Sequence, residues 1–261
     1  MTSKNHEIIG NYEVGEQDVM TRREVLIMGA IAAGGLVAGS PALAAPTVSA
    51  AQAATGPEPY MAKDFSNLVG KLDGFTASQI EQHLKLYKGY IGKANELTQK
   101  LKDADIAGAN ATYSPLREML VEESYAVNGV IYHELYFGNL GGGGGEPAGD
   151  VRSAIEDRWQ SHGKFMDYLK AAGKCMRGWV IVGYNLRAGH LSTFGLDMHN
   201  MWSPAGVIPI LVLDVYEHAY MIDFGIDRAK YLEVFVKNLN WDVVSKRLAY
   251  AKKCPTGYES T

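Results

Sequence analysis

Five consecutive glycines, Gly141 to Gly145, followed by Glu146-Pro147, cut this chain in two, because neither a helix nor a strand continues through such a run. The two sides carry different hydrophobic periods. Upstream, Ile80, His83, Leu84, Tyr87, Tyr90, Ile91 and Leu97 recur at three- and four-residue steps, which predicts a helix over residues 76–102. A polar, alanine-rich break covers 103–113, and Leu116, Met119, Leu120, Val127, Val130, Ile131 and Leu135 then predict a second helix over 114–137. Downstream, one helix is expected over 151–172. Trp179 to Tyr184 and His190 to Phe194 are short β-branched and aromatic stretches with a turn at 185–189, and Ile208 to Leu213 is another apolar strand, ending in Asp214. Helices over 227–238 and 241–252 close the chain. The expected class is α+β: a helical N-terminal half (61–140), an antiparallel helix hairpin, followed by a mixed α/β half (141–261) with a small antiparallel sheet.

The first 60 residues follow neither pattern. Arg22-Arg23 stands directly before an apolar run, Val25 to Val37, that is too short to span a bilayer comfortably as a permanent helix. Ala42-Leu43-Ala44 follows as a small-x-small cleavage pattern. Residues 1–44 are therefore expected to be a twin-arginine export signal, with an uncleaved membrane anchor as the alternative. Residues 45–60, mostly Ala, Thr, Pro, Ser and Gln, read as a flexible leader. The signal would hand the chain to the twin-arginine export machinery, and so to the periplasm or the exterior of a bacterium. A net charge of −4 leaves no basic stripe for phosphates, which excludes nucleic acid as an expected partner. Cys175 and Cys254 are far apart and outside any CxxC arrangement, so both a disulfide and two free thiols stay open.

Six histidines follow the leader: His83, His133, His162, His190, His199 and His218. A single histidine on an apolar face is usually a satisfied core residue. Asp214 and His218, however, stand four apart where a buried strand ends and a helix would begin, so both fall on one side of a helical turn. A carboxylate and an imidazole so placed make half of a metal site, and equally well a structural Asp–His hydrogen bond.

Asp214-Val-Tyr-Glu-His-Ala-Tyr220 resembles the signature Asp-Val-Trp-Glu-His-Ala-Tyr of the iron/manganese superoxide dismutases, with Tyr216 in place of tryptophan. His133-Glu-Leu-Tyr-Phe-Gly-Asn-Leu140 is similar to the family's second-helix segment, and Gly144-Gly-Glu-Pro-Ala-Gly149 to its Gly-Gly-Glu-Pro-Thr-Gly turn. Gly178-Trp-Val-Ile-Val-Gly-Tyr-Asn185, Gly189-His-Leu191 and Asn240-Trp241 also fit, so the resemblance runs from about Phe65 to Ala251. It implies disproportionation of superoxide to dioxygen and hydrogen peroxide at one iron or manganese ion per chain. It also implies the metal ligands His83, His133, Asp214 and His218.

His83 is the one histidine of the first helix, and Tyr90 resembles the tyrosine at the mouth of the family's site. The family spaces these two by eight residues and this chain by seven, so strict alignment on Tyr90 would put Gln82, a poor ligand, in the position taken here by His83. Leu86, Tyr87 and Lys88 occupy the places of a further histidine pair. His199 stands where manganese-type members carry a glutamine beside the ion, and Gly129 where iron-type members carry theirs. The resemblance thus gives Tyr90 and His199 the catalytic roles and leaves His162 and His190 structural. It further implies a homodimer in which Glu217 pairs with the partner subunit's His218, while the usual histidine partner of Tyr220 is missing. Arg187 reads as surface. Two other readings stay open: an exported metal-binding protein of the same fold without dismutase activity, and, more weakly, a zinc hydrolase, for which no spare general base is evident.

Overall fold

The computed structural model describes residues 59–255, all within one compact unit, and the export-signal and leader expectations fall almost wholly outside them. A 3-10 turn, Ser66–Leu68, leads into two long helices, α1 (Ala77–Lys102) and α2 (Pro115–Gly138). The Thr76 side chain caps α1 by accepting from the Gln79 amide, and Ser114 caps α2, whose first residue is Pro115. The two pack against each other along most of their length, which makes the expected hairpin.

The expected helix over 151–172 is two helices, α3 (Gly149–Trp159) and α4 (His162–Cys175). Gln160 ends the first in the left-handed conformation, φ 72°, and Ser161 caps the second by accepting from the Lys164 amide. Strands β1 (Trp179–Asn185), β2 (His190–Leu196) and β3 (Val207–Asp214) form an antiparallel sheet in the order β2-β1-β3. The central strand is buried from Trp179 to Gly183, as its unbroken apolar run requires. Register places Trp179 opposite both Leu196 and Asp214. After β3 come a 3-10 turn, Glu217–Ala219, a four-residue α5 (Met221–Phe224), α6 (Arg228–Lys237) and α7 (Trp241–Ala251).

Sheet and hairpin share one core. Asn139, buried at the end of α2, accepts from the Val212 amide of β3 at 2.9 Å and fixes the height of α2 against the strand. Gly142 and Gly144 of the glycine run donate to the Asn238 and Leu239 carbonyls, closing the loop over the α6–α7 junction. Among the described residues no helix is long and apolar enough to cross a membrane, and Cys175 and Cys254 are free thiols.

Candidate metal centre

Helix α1 buries a stripe of Gln79, His83, Tyr87, Ile91 and Ala94 at steps of three and four. Its phase decides between neighbours. Gln82 is exposed and bonds Ser78 at 3.1 Å, whereas His83 is 1 % exposed and points into the core. Seven residues are close to two helical turns, so Tyr90 falls on the same side as His83.

His83 meets three other side chains there: His133 from α2, Asp214 from the end of β3, and His218 from the 3-10 turn. One ligand atom from each lies within 4.8 Å of all the others. Asp214 and His218 are not on a common helix; Val215 and Tyr216 continue the chain before the turn. The loop is nevertheless closed tightly. Asp214 Oδ1 accepts from the Tyr216 amide at 2.9 Å, and Gln79 donates to the His218 carbonyl at 2.7 Å while accepting from the Ile222 amide. The Tyr231 hydroxyl donates to the Asp214 carbonyl at 2.5 Å.

Atom by atom the cluster fits an ion. Nδ1 of His133 donates to the Gly129 carbonyl, which leaves a lone pair on Nε2. That Nε2 is buried, has no hydrogen-bond partner, and faces Asp214 Oδ2 at 3.6 Å. A buried lone pair aimed at a carboxylate oxygen is repulsive unless a cation stands between them. Nε2 of His83 and of His218 each lie 3.1 Å from the same Oδ2. Three imidazole nitrogens and one carboxylate oxygen suit a first-row transition ion such as iron or manganese. Burial pushes the Asp214 carboxyl up, but charge and hydrogen bonds from His218 and His83 outweigh it and hold the group far below the ordinary carboxylate range. Burial also pulls the His83 imidazole down, and that of His133 well down, which favours the neutral, ligating form.

Beside the cluster a second arrangement is fixed by donor chemistry. The Trp179 indole N–H donates to Nδ1 of His199 at 2.8 Å. An indole can only donate, so the neutral imidazole carries its proton on Nε2 and donates it to the Tyr90 hydroxyl at 2.8 Å. Burial lowers His199 to about 4, so the ring is neutral near pH 7. The Tyr90 ring stacks on His133, with centroids 5.3 Å apart, and burial raises its phenol pKa strongly. A Cβ at Gly129 would come within 2.8 Å of that ring, so the position must be glycine for Tyr90 to lie there.

Of the other positions, Leu86 is half-buried and Lys88 exposed, while Tyr87 is buried and donates to Glu134 at 2.8 Å; burial raises its phenol to about 12. Glu134 also pairs with Lys63 at 2.5 Å. His162 packs on Trp241 and His190 is exposed at the start of β2; neither reaches the cluster. Arg187 and Glu217 are exposed. Tyr220 is buried and accepts from Arg228 at 3.1 Å, so within the chain an arginine partners that hydroxyl. Sequence reasoning missed Gln79, the indole contact of Trp179, and Tyr125, whose ring centroid is 4.4 Å from that of His199. The signal for Tyr125 was its spacing, since Tyr125, Gly129 and His133 lie four apart on one face of α2.

Fold and site together define the class: an α+β protein with a buried pocket of three imidazoles and one carboxylate able to hold a single ion. Residues 147–247 match the family model for the C-terminal domain of iron/manganese superoxide dismutases. The chain is 44% identical over 187 residues to a superoxide dismutase [Fe] of Aquifex aeolicus, covering 70% of this chain and 88% of that protein. It is 30% identical over 203 residues to a superoxide dismutase [Mn] of Mycolicibacterium smegmatis, covering 76% and 97%. The chain belongs to the iron/manganese superoxide dismutase family.

Proposed function

We infer that this protein disproportionates superoxide to dioxygen and hydrogen peroxide at one iron or manganese ion, held by His83, His133, Asp214 and His218. The observation that carries this reading is the buried, partnerless Nε2 of His133 within a four-residue cluster, in a chain matching dismutases over most of their length. An ion held there would supply the one-electron redox chemistry that disproportionation of superoxide needs. The residues supply the rest. Three neutral imidazoles and one carboxylate leave a di- or trivalent centre net positive, which draws in an anionic substrate. The second superoxide must collect two protons to leave as hydrogen peroxide. Tyr90 accepts the His199 N–H on its oxygen and so keeps its own proton free to give at the mouth of the site. His199 orients Tyr90, and Trp179 fixes the tautomer that lets it do so.

The test is elemental analysis of the purified protein alongside superoxide decay on the same sample. About one iron or manganese per chain with fast decay is the expected result. Iron or manganese without decay would favour a metal-binding protein of this fold that lacks the activity, and zinc or no metal would overturn the reading.

The functional unit is a homodimer in which exposed Glu217 reaches the partner subunit's His218. Support comes from the exposure of Glu217 directly beside a cluster residue and from the apolar side chains of Met221, Ile222 and Ile226 exposed nearby. Glu217→Ala is expected to shift sedimentation from dimer towards monomer; an unchanged dimer removes Glu217 from the contact. Arg22-Arg23 and the apolar run after it support export by the twin-arginine route to the periplasm or beyond. Replacing both arginines with lysine should retain the protein in the cytoplasm on fractionation.

A further inference from the structure

Of the four cluster residues, His218 is the one that solvent reaches: its side chain is 26% exposed, while those of His83, His133 and Asp214 are fully buried. It lies in a three-residue 3-10 turn, Glu217–Ala219, and the element that follows, α5 (Met221–Phe224), has four residues. Tyr220, with φ −147° and ψ −20°, interrupts the helical backbone between them. Helical pieces this short have almost no stability of their own. What positions His218 is therefore what this segment is tied to.

The ties come from the start of α1. Gln79 is completely buried; its Nε2 donates to the His218 carbonyl at 2.7 Å and its Oε1 accepts from the Ile222 amide at 3.2 Å. A carbonyl can only accept and a backbone amide only donate, so the orientation of the Gln79 amide is fixed. The two backbone groups are four residues apart, the spacing at which an α-helix would bond them to each other. Here one side chain serves both. A second tie lies beside it. Asp223 accepts from the Thr76 amide at 2.8 Å and from the Thr76 hydroxyl at 2.6 Å, and that hydroxyl in turn accepts from the Gln79 amide. His83 stands one turn after Gln79 on the same buried stripe. Helix α1 thus carries one cluster residue itself and holds the segment that carries another.

We propose that Gln79 is a positioning residue of the centre: its side-chain amide latches the His218 turn to α1, and opening of that latch sets how fast a metal ion is exchanged. The inference rests on the four-residue site described above. Removing the amide leaves the His218 carbonyl and the Ile222 N–H without their partner and frees a segment that cannot hold itself. His83, His133 and Asp214 keep their places, held by α1, α2 and β3.

Gln79→Met keeps the length of the side chain and removes both bonds. Asp223→Ala removes the second tie at a half-buried position. Gly142→Ala is the control, since it crowds the backbone of the α6–α7 junction and touches neither tie. Each protein is loaded with manganese and held in excess EDTA near neutral pH, and the manganese remaining is measured by elemental analysis after desalting. Gln79→Met is expected to release the ion about tenfold faster than wild type and Asp223→Ala about threefold faster, with Gly142→Ala at the wild-type rate. A second readout needs no ion: in metal-free protein the Ile222 amide should exchange hydrogen about tenfold faster in Gln79→Met, while the Val212 amide, held by Asn139, exchanges as before. A wild-type release rate in Gln79→Met overturns the proposal. So does an equal acceleration in Gly142→Ala, which would mean that the ion leaves by general unfolding. If Gln79→Met does not fold, Asp223→Ala decides alone, and a wild-type rate there overturns the proposal. Wild-type protein that takes up neither manganese nor iron overturns the reading of the centre as well, whereas normal loading with unaltered release overturns the latch alone.

Discussion

At the scale of single residues, the centre is organised by what each polar atom can and cannot do. Trp179 can only donate, so His199 must accept on Nδ1 and donate from Nε2. The glutamine that manganese-type relatives place here by resemblance can also accept and donate at once, which is why a histidine can stand in its place. His199→Ala removes the donor to Tyr90 but none of the four cluster residues. It is expected to cost about tenfold in dismutation, the range for outer-shell partners of a metal site, with iron or manganese content unchanged by elemental analysis. Unchanged activity would take His199 out of the mechanism. Gly129 shows the same logic by subtraction. A methyl group there meets the Tyr90 ring, so Gly129→Ala should displace Tyr90 and lower kcat while the protein still loads its metal. A crystal structure of that variant with Tyr90 unmoved would defeat the argument.

At the scale of elements, the glycine run is a packing device as much as a break. Gly142 lies against the backbone of Leu239 and Asn240, and a Cβ there would run into the Leu239 carbonyl. Backbone cannot swing aside as a side chain can, so Gly142→Ala is expected to destabilise by about 1–3 kcal/mol, the cost of overpacking. The denaturant midpoint measures this, and a midpoint shift near zero would mean the loop has room to spare. Element order was legible because the two long helices carry strong periods, start at the Thr76 and Ser114 caps and stop before the glycines, while the strands are short apolar runs. The division between α3 and α4 was not, since the left-handed residue that makes it is Gln160 rather than a glycine. The same holds within the site. His83 was legible as the helix's one histidine, but only helix phase shows Gln82 turned to solvent. Tyr125 was hidden because a tyrosine at helical spacing is ordinarily core, and the His199 ring it meets comes from a distant part of the chain, beyond β2.

At the scale of the whole molecule, the fold holds several imidazoles neutral in its interior, and that ties its stability to pH. Burial lowers His83, His133 and His199, the last to about 4, whereas an unfolded chain titrates them near 6.5. Below about 6.5 the unfolded chain therefore takes up protons that the folded one refuses, and the balance moves towards unfolding. The stabilisation is present above the unfolded value and is lost as pH falls towards the folded one. Asp214 also has a depressed pKa, but its contribution fades only below the ordinary carboxylate range, so the histidines act first. An ion bound to the neutral nitrogens competes with the same protons, and it stabilises the folded state as any ligand of that state does. Metal-free protein should thus lose melting temperature steadily from pH 6.5 to pH 4. Metal-loaded protein should stay level further into acid and then drop where the ion leaves, which elemental analysis after desalting at each pH would locate. A metal-free melting temperature that is flat across this window would mean the imidazoles reach protons without unfolding, and the buried, neutral histidine cluster would then be the wrong description of the centre.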